Sequence, residues 1–392
     1  MKKIMKKIVC ILFVLVILIS VVACGGNAEN AEPEKLLSGN IVNISKYGNI
    51  TLTTTKEEMT EKGFEFGDIV TVSFADESID IPYCSTYSDV DAGAAGLFGR
   101  YDDETVTIAV NMGNFATIYN IADKITQEDQ SYEWVYRESI DESLTFVINM
   151  KQKRGYYSEY VLRQLSYSDE REDYPELSDE QFGNFRVVTT TGIGENILYR
   201  SATPVDPQKN RNTFVDAAAR LHGITVVIDL NDSEAALDEF EGFESSYFAT
   251  TEYIALNMGL DFTETDFKTK LRDGLKYMCE HEGVYLVHCL EGKDRTGFVI
   301  ALLEFLMGAT YSEAEDDYMI TYYNYYGVKK GDEKYDVIAS SNFEKNLLRS
   351  FEVTDVKNAD LDRLSTEYIK SIGLTDSEIA TLKANLMPRD RG

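Results

Sequence analysis

Between Val287 and Gly297 the chain reads Val-His-Cys-Leu-Glu-Gly-Lys-Asp-Arg-Thr-Gly. That is a cysteine, five residues, an arginine, then a threonine and a glycine. The apolar run Val284 to His288 precedes the cysteine and the apolar stretch Thr296 to Met307 follows, so the segment joins a strand to a helix. A loop wrapped over a helix N-terminus turns its backbone N–H groups inward, and the helix dipole adds about half a positive charge there. Such a loop, made of Leu290, Glu291, Gly292, Lys293, Asp294 and Arg295, cradles a tetrahedral dianion. Arg295 can offer a planar fork to two phosphoryl oxygens, which a lysine cannot do. The same field favours the thiolate of Cys289, making it a nucleophile whose attack on phosphorus would give a phosphocysteine.

Loss of an alkoxide or phenoxide also needs a proton donor on the leaving-group side. Asp294 lies in the loop, Asp229 ends the apolar run Thr225 to Leu230, and Asp261 sits in Met258 to Phe262. Asp229 and Asp294 are preferred. The other two histidines, His222 and His281, have no comparable context and read as structural.

The run resembles the phosphate-binding loop of the protein tyrosine phosphatase superfamily. Its Gly-Lys-Asp-Arg-Thr-Gly form is similar to that of the secreted bacterial tyrosine and lipid phosphatases. Asn184-Phe185-Arg186, Leu198-Tyr199-Arg200-Ser201-Ala202 and Val227-Ile228-Asp229-Leu230 resemble that group as well, across roughly residues 173 to 388. The resemblance implies loop support from two residues: Thr296 would hydrogen-bond the sulfur and assist its departure, and His288 would orient the loop. It also implies that Asp229 stands at an acid-candidate position, with Asp261 placed as in dual-specificity relatives. The chain departs from the group at Glu291, where many relatives carry alanine. A carboxylate at the rim of an anion site weakens multiply charged substrates unless it points away, and Lys293 partly offsets it.

Positioning this loop requires a sheet. Thr225 to Leu230, Glu252 to Asn257 and Val284 to His288 are apolar runs that alternate with helical patterns such as Asp266 to Glu280, which predicts an α/β domain with a mainly parallel sheet. The aromatic run Asp317 to Tyr326 reads as core packing of a terminal helical layer, in preference to an aromatic wall beside the cleft. Upstream, Gly39 to Thr55, Ile69 to Phe74, Ile79 to Thr86 and Thr105 to Val110 are short Ile/Val/Thr/Tyr runs broken by turns, as in a β-sandwich or barrel. Cys84 lies in one of them and reads as a buried small hydrophobe. Gly39-Asn40-Ile41-Val42, Gly67-Asp68-Ile69-Val70 and Ala109 to Ala116 resemble the C-terminal β-domain of the SAM hydroxide adenosyltransferases, over roughly residues 39 to 120. In that family the domain shares a nucleoside pocket with an N-terminal partner missing here, so adenosine chemistry does not carry over, and a spacer or binding module is expected. The acidic stretch Ser168 to Glu180 marks the expected boundary, giving a β-rich module at 37–172 and a catalytic domain at 173–388.

The first residues read as an address. Four lysines precede the apolar run Ile8 to Val22, which is shorter than the ~20 residues of a spanning helix, and Val21-Val22-Ala23-Cys24-Gly25 resembles a bacterial lipobox. The expectation is a signal peptide at 1–23, lipidation at Cys24, a polar tether at 24–36, and an extracytoplasmic protein held to the bacterial membrane by its lipid. The 392 residues carry a formal net charge of −29, and cleavage would remove only cations from it. Such a surface repels nucleic acid and anionic lipid, so an anionic substrate must be captured by a local positive site. Five cysteines, two of them in the leader region, do not make a disulfide scaffold. The sequence therefore predicts a phosphomonoester hydrolase needing no cofactor or metal, with phosphotyrosine as first substrate class and a phosphorylated protein or small phosphate ester as its partner. Phosphoinositides or inositol phosphates are the alternative, and a non-hydrolytic phosphate-binding lipoprotein is the rival of a different class.

Overall fold

The structure is a computed structural model that describes residues 36–388. The leader, Cys24 and the tether up to residue 35 lie outside the described residues. The chain divides into two compact units, one ending at Gly155 and the other beginning at Tyr156. Residues 156 to 172, assigned to the β-rich module from sequence, thus fall with the second unit. Composition placed the break in the acidic stretch, but packing places it just after the last strand of the first unit.

The first unit is built on strands β1 (Leu36–Ile44), β2 (Ile50–Thr55), β3 (Ile69–Phe74), β4 (Glu77–Cys84), β5 (Ala95–Phe98) and β6 (Thr105–Val110). A hairpin, β7 (Ala122–Thr126) and β8 (Tyr132–Tyr136), leads to β9 (Thr145–Gln152). β9 pairs with both β1 and β3 and closes a seven-stranded barrel in the order β1-β2-β6-β5-β4-β3-β9. The period of two explains the closure: in β3, Val70, Val72 and Phe74 turn inward and are buried, while Thr71 and Ser73 face outward. Cys84 is buried, as expected.

In the second unit β10 (Arg186–Val187), β11 (Leu198–Ser201), β12 (Val226–Asp229), β13 (Glu252–Ala255) and β14 (Tyr285–His288) form one sheet in the order β10-β11-β14-β12-β13. Only the edge strand β10 is antiparallel. β14 is central, parallel to both neighbours, and buried at every residue, as a strand covered on both faces must be. It feeds the helix Asp294–Leu306, whose side chains from Thr296 onward are all buried. The helices Thr265–Glu280, Tyr311–Tyr326, Leu361–Ser371 and Asp376–Leu386 add their apolar sides to the same core. In Tyr311–Tyr326 the residues Tyr318, Tyr322 and Tyr325 are buried, so core packing accounts for most of that aromatic run.

Candidate active site

The topology puts Cys289 at the carboxyl end of the central strand, where open α/β sheets place their ligands. The loop after it is shaped by three donors that draw successive carbonyls outward. The Thr203 N–H donates to Leu290 O at 3.1 Å, Asn184 Nδ2 to Glu291 O at 2.9 Å, and Arg200 Nη2 to Gly292 O at 2.9 Å. In a trans peptide the next N–H points opposite to its carbonyl. The N–H groups of Glu291, Gly292 and Lys293 therefore face the loop's interior, and none of them donates to a backbone carbonyl among the described residues. Gly292 makes this turn at φ +69°, and a Cβ there would stand 2.2 Å from Ser201 O. No other residue fits.

The braces are themselves fixed. Arg186 reaches Asn184 Oδ1 at 2.7 Å and Asp317 Oδ1 at 2.9 Å, while Arg200 pairs with Asp317 Oδ2. Burial would raise the Asp317 carboxyl, but the charges of the two arginines hold it below the usual carboxylate range. Glu304, on the loop's own helix and fully buried, is instead pushed well above the usual carboxylate range by burial and by Asp317. Asn184, Arg186 and Arg200 entered the sequence reading only through resemblance, and Asp317 and Glu304 were missed. A buried acid in an otherwise apolar or aromatic helical stripe was the available signal.

Arg295 lies beside the loop with Nη1 donating to the carbonyls of Leu230 (3.3 Å) and Met258 (3.0 Å), and Nη2 to Asn231 Oδ1 (2.8 Å). Its Nε is buried and has no acceptor among the described residues. Thr296 Oγ1 is likewise buried without a partner, so the implied bond to the sulfur is not made in this structure. His288 is fully buried, pushed down to about 4 by burial and hence neutral. Its Nδ1 lies 3.8 Å from Asp229 Oδ1, too far for a hydrogen bond.

Three acid candidates separate by environment. Asp261 Oδ1 accepts from the Thr263 N–H and hydroxyl, and Oδ2 from Arg349 at 3.1 Å. These bonds hold it below the usual range, so it stays ionised. Asp294 is raised by burial against the pull of Lys293, yet 42% of its side chain meets solvent. Asp229 is wholly buried: Oδ1 accepts from the N–H groups of Asn231 (2.8 Å) and Asp232 (3.1 Å), and Oδ2 has no partner among the described residues. Burial pushes Asp229 up to about 6, against those bonds. Asp232, not singled out from sequence, is pushed up to about 6 by burial and by Asp229, and such neighbours titrate as a pair.

An unfolded aspartate titrates near ~3.9. Between that value and about 6 the unfolded chain gives up protons that the folded pair keeps. The stability held by the neutral pair is complete below roughly pH 4 and is lost as the pH rises through about 6. Asp229→Asn retains an acceptor for both N–H groups. It should raise the thermal midpoint at pH 7.5 by a few degrees, at about 2–4 °C per kcal/mol, and lose that advantage near pH 4. Equal midpoints for variant and wild type at both pH values would show that Asp229 is not held neutral.

The outer rim carries a second cluster. Glu291 Oε2 lies 2.7 Å from Lys293 Nζ, and Tyr167 Oη donates to Glu291 Oε1 at 2.6 Å. Lys293 also reaches Tyr326 Oη at 3.1 Å. Lys209 holds Tyr167 Oη at 3.2 Å and Asp169 Oδ2 at 3.1 Å. Tyr326, at the end of the aromatic helix, thus meets the loop through Lys293. Among the described residues there is no group of His, Cys, Asp and Glu able to hold a metal ion.

The tyrosine phosphatase family pattern matches residues 181–388, just over half of the chain, and the protein belongs to that family. The C-terminal domain of SAM hydroxide adenosyltransferases matches residues 39–126, which takes in β1 to β7 but not the closing strand β9. No curated protein matches. Among solved structures, TpbA of P. aeruginosa in complex with pTyr is 19% identical, covering 49% of this chain and 93% of that one, at a TM-score of 0.28. The core catalytic domain of the PP-IP phosphatase SIW14 from S. cerevisiae, in complex with citrate, is 18% identical over 42% and 89% at 0.27. An uncharacterised conserved protein from Thermotoga maritima is 16% identical at 0.24, over 30% of this chain and 37% of its own length.

Proposed function

We propose that the protein is a cysteine-dependent phosphomonoesterase acting on phosphotyrosine, held at the outer face of a bacterial membrane through lipid on Cys24. One observation carries the reading. The carbonyls of Leu290, Glu291 and Gly292 are each held by a donor from a neighbouring segment, and the N–H groups of Glu291, Gly292 and Lys293 donate to no backbone carbonyl among the described residues, at the end of the strand that delivers Cys289 and with Arg295 alongside. Such an arrangement suits a tetrahedral anion held next to a sulfur nucleophile and supports the reading.

In this mechanism the Cys289 thiolate attacks phosphorus. The N–H groups and Arg295 take up the charge on the equatorial oxygens, and the P–O bond to the leaving group breaks. Asp294, raised and partly open to solvent, gives its proton to the departing oxygen. Its carboxylate then accepts a proton from water, whose oxygen bonds to phosphorus as the P–S bond breaks and the thiolate returns. Asp229 is too deeply buried to meet a leaving group, and it instead anchors the Asn231–Asp232 turn. The test is a panel of phosphotyrosine and phosphoserine peptides and phenyl phosphate, with and without a chelator. Phosphotyrosine and phenyl phosphate should be turned over at least about tenfold faster than phosphoserine, and EDTA should change nothing. Loss on chelation, restored by a divalent cation, would place the protein in another mechanistic class.

A further inference from the structure

The rim cluster bears on which phosphate esters the loop admits, an inference that rests on the phosphatase reading above. We propose that Glu291 acts as a charge filter: by occupying Lys293 it confines the site to esters carrying a single phosphate and selects against substrates with additional phosphates. Lys293 belongs to the same loop and, if unpaired, would offer its cation to a second phosphate. It is instead engaged by Glu291 at 2.7 Å, Tyr326 at 3.1 Å and Asp294 at 3.9 Å. Glu291 does not swing away, because Tyr167 fixes its other oxygen at 2.6 Å and only 21% of its side chain is exposed.

The neighbouring cations are matched in the same way. Lys209 and Arg211 both bind Asp169, at 3.1 and 2.9 Å. Beyond the N–H groups and Arg295, the cations described around this rim are therefore paired with carboxylates. A further phosphate, bringing about −1.5 to −2 charges, meets cations already engaged by carboxylates, on a chain whose net charge is −29. The rim is also aromatic, with the rings of Tyr167 and Tyr326 5.7 Å apart and edge-on, a surface suited to an aryl group.

Turnover of phenyl phosphate and of myo-inositol 1,4-bisphosphate by wild type, Glu291→Gln and Glu291→Ala tests this. Wild type should favour phenyl phosphate. Both variants should raise the ratio of kcat/KM for the bisphosphate over that for phenyl phosphate by about tenfold at low salt, and the gain should shrink at high salt. Tyr167→Phe keeps the carboxylate but removes one of its anchors, and should raise the ratio by less than either Glu291 variant. A ratio that stays within twofold of wild type in both Glu291 variants, or falls, overturns the filter. Faster wild-type turnover of the bisphosphate overturns it as well. Failure of the wild type to hydrolyse phenyl phosphate at all would overturn the phosphatase reading and the filter with it.

Discussion

Cys289→Ser should lower turnover of phenyl phosphate by about 10⁴-fold or more, the scale on which enzymes lose an essential nucleophile. Binding of the ester should persist. The receptor is formed by backbone groups anchored through Thr203, Asn184 and Arg200, and none of those bonds involves the cysteine side chain. A serine hydroxyl fits the space of the buried thiol but is intrinsically a far weaker nucleophile. Steady-state rates give the first half of the expectation and calorimetry with phenyl phosphate the second. Hydrolysis within tenfold of wild type would remove Cys289 from the mechanism. Loss of binding together with rate would show that the sulfur supports the loop and is not only its nucleophile.

Arg295→Lys should cost at least about 10²-fold in kcat/KM, even though the charge is kept. The guanidinium is held on one side by Leu230 O, Met258 O and Asn231 Oδ1, which fixes its plane and leaves Nε free of any acceptor among the described residues. An ammonium has no plane to fix and cannot satisfy three outward acceptors while also binding a phosphoryl group. The loss should appear in kcat and in inhibition by inorganic phosphate together, because a planar fork serves both the bound anion and the transition state. A lysine variant with unchanged phosphate inhibition and only a small loss of rate would mean that Arg295 supplies charge without geometry.

The elements around the loop were legible because each carried its own local pattern. Val284 to His288 and Thr225 to Leu230 are continuous apolar runs, and both are buried parallel strands. The closure of the seven-stranded barrel was less visible: the partners of β9, β1 and β3, are far away in sequence, and long-range pairing leaves no local trace. Cys289, Gly292 and Arg295 announced themselves by spacing. Asp317, Glu304 and Asn231 could not, since their parts depend on which distant groups they meet. Asp317 gains its role only when β10 and β11 bring two arginines to it. The domain edge was misplaced for a related reason: an acidic, Tyr-containing stretch looks like a linker until Arg211 is found inside it.

That last arginine has a consequence for how such a chain can be assembled from parts. Arg211 is buried, lies 4.0 Å from the ring centroid of Tyr325 and 4.2 Å from that of Phe182, and is bonded to Asp169 at 2.9 Å and to Ser168 O at 2.8 Å. The stretch that looks dispensable is sewn into the catalytic unit, and one of its residues, Tyr167, grips the phosphate loop. A gene rearrangement exchanging the barrel for another module keeps these contacts only if its crossover falls upstream of Tyr167. A crossover in the acidic stretch would inherit the nucleophile and the nest but lose Tyr167 and Asp169, and with them the grip on Glu291 and the counter-ion of a buried arginine. The exchangeable cassette thus begins before the family pattern does, and ancestry by recombination should be sought at that earlier junction.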